Sequence, residues 1–100
     1  MAGPVERRRR TLAFSREEAW VVHVALLDRI RSAVEDDGGG RSVERYAELD
    51  ALSTLEGENE RFSTSEVAAI RAALRSYLPS APPRDLLPGR EALRRVDGDA

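Results

Sequence analysis

The sequence contains no cysteine and no lysine, and it has a single histidine, His23, among its 100 residues. Without cysteine the chain has no disulfide, no thiolate metal site and no cysteine nucleophile. A single histidine excludes every metal site that needs two histidine ligands, and it gives a catalytic triad no choice of base. We therefore expect no metal, no cofactor and no small-molecule substrate, and we expect the protein not to be an enzyme.

Long apolar segments are also missing. The longest runs are Ala19–Val22 and Val24–Leu27, whereas a membrane-spanning helix needs roughly 18 or more apolar residues in succession. The N-terminal region lacks the apolar core of a signal peptide. We therefore expect a soluble, cytoplasmic protein with no membrane contact. Aromatic residues make up only 5% of the chain, so its core must consist mainly of aliphatic side chains and alanine.

The charge is unevenly distributed, because four arginines stand in a row at Arg7, Arg8, Arg9 and Arg10. Residues 11–100 hold 12 arginines against 17 acidic residues, a net charge of −5. We interpret residues 1–10 as a disordered basic arm, since Val5 is their only sizeable apolar residue apart from Met1. Deleting residues 2–10 should then leave thermal unfolding nearly unchanged. Alternatively, the four arginines are candidate anion contacts that bind nucleic-acid phosphates, although the acidic body makes nucleic acid an unlikely partner.

Two stretches of the chain share one pattern. "FSREEAWVVHVAL" (14–26) and "FSTSEVAAIRAAL" (62–74) lie 48 residues apart and both spell F-S-x-x-E-[A/V]-x-x-[V/I]-x-x-A-L. In each copy a serine followed three residues later by glutamate is typical of a capping box, and the preceding phenylalanine is placed for a hydrophobic staple. Apolar residues then recur at helical spacing. The pattern therefore predicts that two long helices begin after Ser15 and Ser63.

A second repeated pattern follows those helices, in "DALSTLEG" (50–57) and "EALRRVDG" (91–98). The glycine that ends each stretch is typical of a helix stop. We predict an all-α fold, a four-helix bundle of two tandem helical hairpins with pseudo-twofold symmetry. A short extended lead-in, "TLAFS", precedes it and has no partner strand. The predicted single domain covers residues 11–100, with hairpin one at 11–57, hairpin two at 62–98, and helices at about 16–36, 42–54, 65–79 and 85–96.

Aligning the two copies predicts both a shared core and a difference between the copies. The core pairs are Ala19 with Val67, Val22 with Ile70, Leu26 with Leu74 and Ile30 with Leu78. The candidate interface is an adjoining stripe of helix 1, made of Trp20, His23, Leu27 and Val34. The second copy has Ala68, Arg71 and Arg75 where the first has Trp20, His23 and Leu27.

Two explanations of this stripe remain open. The lead-in around Leu12 and Phe14, or the C-terminal hairpin, could fold over it, because large exposed apolar patches are uncommon on monomers. Alternatively, a second copy of the chain or a partner helix docks there, with Trp20 as an interface anchor. In that case His23 would make binding pH-sensitive, since histidine changes charge near pH 6.5.

Three segments carry a resemblance to a known family. "TLAFSREEAWVVHVALLDRI", "GENERFSTSEVAAIRAALRSYL" and "APPRDLLPGREALRRV" resemble a family of small helical proteins of unknown function from halophilic archaea, across roughly residues 11–96. The resemblance implies a helical fold and brings no catalytic residues. We therefore expect a non-enzymatic helical interaction or regulatory module. The alternative is a small nucleic-acid-associated protein that uses the Arg7–Arg10 arm.

Overall fold

Four helices and two short strands make up the part of the chain that the computed structural model describes, residues 9–37, 43–57 and 60–98. Residues 9, 33–37 and 43–46 are described by their backbone alone. The helices pack together into a compact, mostly helical globule, which confirms the prediction of four packed helices. The elements in chain order are β1 (Arg9–Thr11), α1 (Arg16–Asp37), α2 (Val43–Glu56), β2 (Arg61–Ser63), α3 (Thr64–Tyr77), a 3-10 helix (Leu78–Ser80) and α4 (Pro83–Asp97).

Both predicted capping boxes are present. The Glu18 amide donates to Ser15 Oγ at 3.1 Å, and the Ser15 amide donates to Glu18 Oε1 at 3.0 Å. The second copy repeats this arrangement between Ser63 and Glu66, at 3.2 and 3.0 Å. Each box satisfies two amides that the first turn of a helix leaves without a carbonyl partner. The short motif therefore sets where α1 and α3 begin.

The helix boundaries differ from the prediction at α2 and α4. Helix α2 continues to Glu56, so Leu55, which was expected in the loop, lies within the helix. Helix α4 begins at Pro83, since a proline at the first helical position has no amide that needs a partner. Asp85, where the last helix was predicted to begin, lies inside the first turn of α4, where it is buried and accepts a hydrogen bond from Tyr77.

The lead-in has a partner strand, which corrects the prediction that it has none. Strand β1 pairs antiparallel with β2, with Arg10 opposite Phe62. The Leu12 amide then extends the pairing by donating to the Glu60 carbonyl at 2.8 Å. Arg9 and Arg10, which the sequence analysis placed in the arm, lie in this sheet. The pairing was missed because each strand is only three residues long and its partner is about 50 positions away.

The core lies between α1 and α3, which pack along each other, while α2 and α4 each contact both of them. Val22, Leu26, Val67, Ile70 and Leu74 are buried as predicted. Ala19, Ile30 and Leu78, which were also predicted for the core, are only partly buried. Their places are taken by residues one step round each helix, which face the flanking helices: Val21, Ala25, Ala69 and Ala73.

Candidate functional site

Trp20 is 61% exposed and Leu27 is 37% exposed, although both are large apolar side chains. The buried residues of α1 include Val22 and Ala25. At 100° per residue, Trp20 and Leu27 lie on the side of the helix opposite that buried stripe. The candidate stripe therefore lies across the helix from the core, not beside it as predicted. We call the exposed surface formed by Trp20, His23, Val24 and Leu27 the Trp20 face. The side chain of Val34, the fourth predicted interface residue, lies outside the described residues.

The lead-in and the C-terminal hairpin leave Trp20 uncovered, so the expectation that they fold over it is wrong. Leu12 is buried in the core, and Phe14 packs against that core. The Phe14 ring meets the Phe62 ring edge-on, with centroids 6.0 Å apart. The apolar residues of the lead-in are therefore engaged with the core and with Phe62, and Trp20 stays exposed.

His23 connects the Trp20 face to the end of α2. Its ring stacks on the Trp20 ring, with centroids 5.9 Å apart and an interplanar angle of 12°. His23 Nε2 lies 3.0 Å from Glu56 Oε2, while its Nδ1 atom is buried and makes no hydrogen bond within the described part of the chain. Stacking and the contact with Glu56 together restrict the His23 ring, and that ring supports one face of the exposed indole.

The apolar surface continues from α1 onto α4. Trp20 from α1 and Arg84 and Pro88 from α4 line an open groove of about 500 Å³. Next to it, Leu87 is 68% exposed. This extension was not predicted, although "DLLPG" contains the signal. Leu86 and Leu87 are adjacent in a helix and point about 100° apart, so a helix that packs on one side only leaves one of them outside the core.

Arg10 caps α4, whereas Arg7 and Arg8 lie outside the described residues. The Arg10 guanidinium donates to the Val96 carbonyl at 2.7 Å and to the Arg95 carbonyl at 2.9 Å. The last carbonyls of a helix have no partner within the helix and carry partial negative charge, so an arginine there is favourable. Arg10 therefore has a structural role that the reading of residues 1–10 as a disordered arm did not anticipate.

Two N-terminal truncations should distinguish the contribution of the arm to stability from the contribution of the sheet. Deleting residues 2–8 should leave the free energy of unfolding unchanged, because those residues contain little apolar surface to bury. Deleting residues 2–10 should lower it by about 1–3 kcal/mol, since the bonds of Arg10 and part of the strand pairing are lost. Urea unfolding followed by circular dichroism measures both effects, and Arg10→Ala isolates the side chain. Equal stability of the two truncated proteins would show that the Arg10 contacts contribute nothing.

Glu18 and Glu66, the capping carboxylates, are buried and each reaches a second helix. Arg95 Nε donates to Glu18 Oε1 at 2.7 Å, and Thr54 Oγ1 donates to Glu66 Oε2 at 3.2 Å. Burial raises the pKa of Glu18, but the hydrogen bonds from Arg95 and from the Ser15 amide, with the charge of Arg95, outweigh it. The net effect is a pKa below the ordinary value of 4.5.

This lowered pKa predicts how acid affects stability. The ionised form of Glu18 contributes stability above about pH 4.5, and that contribution is lost as the pH falls through the lower pKa of the folded state. Glu18→Gln should cost about 1–2 kcal/mol at pH 7, and the cost should become smaller as the pH falls below about 4.5. Urea unfolding from pH 7 to pH 3 measures this convergence, with the exposed Asp50→Asn as control. A cost that is the same at both pH values would contradict the assignment.

Other ionisable side chains are used inside the fold. Tyr77 Oη donates to Asp85 Oδ2 at 2.6 Å, and burial together with this bond to a carboxylate raises the pKa of Tyr77 to about 12. Arg29 Nε donates to the buried Glu48 at 2.8 Å. Neither interaction was anticipated, because each joins residues from different helices. Within the described ranges, no group of three or more histidine, cysteine or acidic residues could hold a metal ion.

Comparisons with known proteins place the chain in a family without assigning an activity. No helix within the described ranges is both long and apolar enough to cross a membrane. No curated protein and no solved structure matches the chain significantly. One family model matches residues 12–97, which include all four helices and β2 but not β1. The chain therefore belongs to the family of unknown function DUF7853.

Proposed function

We propose that this protein is a non-enzymatic helical module that binds a protein partner through the Trp20 face. The observation that carries the proposal is the 61% exposure of Trp20. A tryptophan side chain has up to about 250 Å² of surface to bury, so roughly 150 Å² remains in water. At about 25 cal/mol per Å², covering it would release about 4 kcal/mol before the cost of association. Tryptophan is also among the residues most enriched at interface hot spots.

Helix α3 provides the comparison that makes this exposure informative. Ala68 and Arg75 occupy the repeat positions of Trp20 and Leu27, and both are exposed. Arg71, at the position of His23, donates to Asp97 Oδ1 at 2.9 Å. The fold therefore accommodates small or charged residues at these positions in its second copy. A requirement of the core does not explain the apolar residues of the first copy, whereas a partner does.

We also propose that the two hairpins are related by a pseudo-twofold axis. Within each hairpin, equivalent residues make equivalent contacts. His23 meets Glu56 at 3.0 Å, and Arg71 meets Asp97 at 2.9 Å. His23 and Arg71 are 48 residues apart, and Glu56 and Asp97 are 41 residues apart. These are the intervals of the two repeated sequence patterns. This equivalence supports a duplicated hairpin.

Contacts between the hairpins support the same axis. The bond from Arg95 to Glu18 runs from α4 to α1, and its counterpart from Thr54 to Glu66 runs from α2 to α3. In the sheet, Leu12 bonds to Glu60, the residue 48 positions further along the chain. An antiparallel pair formed by a residue and its own repeat counterpart is what a twofold axis through that point produces. On this proposal α1 and α3 are equivalent elements, and the comparison of their outer faces is a fair one.

The engagement of the carboxylates supports a non-enzymatic role, because Glu18, Glu66 and Asp85 each accept hydrogen bonds that hold two helices together.

Nucleic-acid binding through Arg7–Arg10 stays the second candidate, and the α4 contacts of Arg10 reduce the positive charge available for binding phosphates. A mobility-shift experiment with nucleic acid at low salt tests this second candidate, and the absence of a shift would eliminate it.

A cytoplasmic location and a source among halophilic archaea stay predictions that follow from composition and from the resemblance.

Site-specific photocrosslinking in cells tests the proposed interface. A photoreactive amino acid at position 27 should form protein adducts, whereas the same amino acid at position 75, its exposed repeat counterpart, should form few. Adding Trp20→Glu to the position-27 protein should reduce those adducts about tenfold or more, because a charge would replace the anchor. Adducts of equal yield at the two positions, or adducts that survive Trp20→Glu, would refute a specific interface on α1.

A further inference from the structure

We infer that the partner on the Trp20 face is a second copy of this chain, packed with its α1 antiparallel to the first about a twofold axis near Val24. This inference rests on the proposed function and adds the identity of the partner. The positions of apolar and charged residues along α1 define the antiparallel arrangement of the two copies. Twofold dimers are the commonest oligomers, and their interfaces must be self-complementary.

The two large apolar residues of the face match this arrangement. Trp20 and Leu27 are seven residues apart, about 10.5 Å along a helix that rises 1.5 Å per residue. Their midpoint lies between His23 and Val24. An antiparallel copy centred there places Trp20 of each chain beside Leu27 of the other. A single twofold axis therefore buries both exposed side chains on both copies. A parallel copy would instead place the two indoles against each other.

The charges at the two ends of the face match the same axis. Glu17 and Arg31 are both exposed, and neither makes a hydrogen bond or ion pair with any part of the chain that the structure describes. Their midpoint is Val24, within about 1 Å of the apolar midpoint at this rise. In the antiparallel arrangement Glu17 of each copy lies opposite Arg31 of the other. In a parallel arrangement each of these residues would meet its own counterpart, so like charges would face each other, which disfavours that pairing.

A second pair of exposed charges adds no complementarity. Arg16 lies beside Glu17, and Asp28 lies one turn before Arg31; both are exposed. An antiparallel copy centred on Val24 places Arg16 opposite Ser32, so Arg16 lies nearer to Arg31 of the other copy than to Asp28. The segment from Arg16 to Arg31 spans about 23 Å along one helix, so the area that it can bury is smaller than the roughly 800 Å² per partner of a standard interface. The dimer should therefore be weak.

Sedimentation velocity from 10 µM to 1 mM tests the dimer, and charge reversal tests its arrangement. The wild-type protein should dimerise within this range. Glu17→Arg alone or Arg31→Glu alone should raise the dissociation constant about tenfold, because each places like charges opposite each other at two points. The double variant Glu17→Arg with Arg31→Glu restores both pairs, so its dissociation constant should return to within about threefold of the wild-type value. Circular dichroism of each variant confirms that it is folded.

The outcomes separate this inference from the proposed function. A wild-type protein that is monomeric at 1 mM overturns the second copy as partner, while adducts to a different protein from position 27 would leave the proposed interface standing. A dimer that survives Trp20→Glu lies elsewhere on the molecule and also overturns the inference. A dimer lost in Trp20→Glu but not restored in the double reversal overturns the antiparallel arrangement. Rescue by the double reversal, together with loss in Trp20→Glu, supports the inference in full.

Discussion

Leu26→Ala should lower the free energy of unfolding by about 3–4 kcal/mol, whereas Leu27→Ala should lower it by only about 1 kcal/mol. The two leucines are adjacent in α1 and lose the same atoms, so the side of the helix they occupy is the main difference between them. Leu26 is fully buried, and Leu27 is 37% exposed. Truncating Leu26 leaves a cavity between packed helices, whose neighbours relax only partly.

Urea unfolding followed by circular dichroism measures both values, at a protein concentration of about 2 µM so that weak association does not contribute. For a domain of this size, 3–4 kcal/mol corresponds to a fall in Tm of roughly 15–25 °C. Fluorescence of Trp20, the only tryptophan, is the poorer probe because the indole is already exposed in the folded protein. Similar losses from the two substitutions would mean that Leu27 is core, and the Trp20 face would then not exist as described.

Phe62→Ala should cost about 3–5 kcal/mol, and Phe14→Ala should cost about half as much. These phenylalanines hold the same position in the two copies of the repeat, but their burial differs. Phe62 lies in β2 with 1% of its surface exposed, while Phe14 is half-buried at the edge of the core. Each substitution also removes the edge-on ring contact between them.

The difference between the two phenylalanines follows from the sheet. Phe62 is the central residue of β2 and pairs with Arg10, so its loss should loosen β1 as well as the core. Amide hydrogen exchange at Thr11 and Leu12 should therefore speed up more in Phe62→Ala than the global loss of stability accounts for. Phe14→Leu serves as a matched control that keeps apolar volume. Equal costs for the two alanine substitutions would contradict the asymmetric burial.

Local signals in the sequence predicted the helix starts of both copies correctly. A capping box needs only a serine and a glutamate three residues apart, since both of its hydrogen bonds close within one turn. Ser15 with Glu18 and Ser63 with Glu66 therefore form as expected. The apolar spacing similarly predicted Val22 and Leu26 as core. These features depend on neighbours within four residues, which the sequence displays directly.

Features that join distant segments were not predictable in the same way. The pairing of β1 with β2 needs two three-residue strands to meet across about 50 residues, and neither strand has a pattern of its own. The buried face of α1 includes Val21 and Ala25 because α4 packs on that side. The position of α4 cannot be predicted from local patterns in the sequence. Glu18 was predicted as a cap, while its second bond, to Arg95, depends on the same packing.

The order of residues was enough to predict the helical class and the two duplicated helix starts, and to single out a tryptophan that occurs in only one of the two copies. That Trp20 lies in water follows from the packing of the helices. Helical periodicity assigns residues to faces, but it does not say which face a neighbouring element covers, because that depends on contacts between segments far apart in the chain. The same contacts engage Arg10 at the end of α4 and bury Leu12 of the lead-in in the core. What remains exposed on α1 is therefore a result of how the four helices pack.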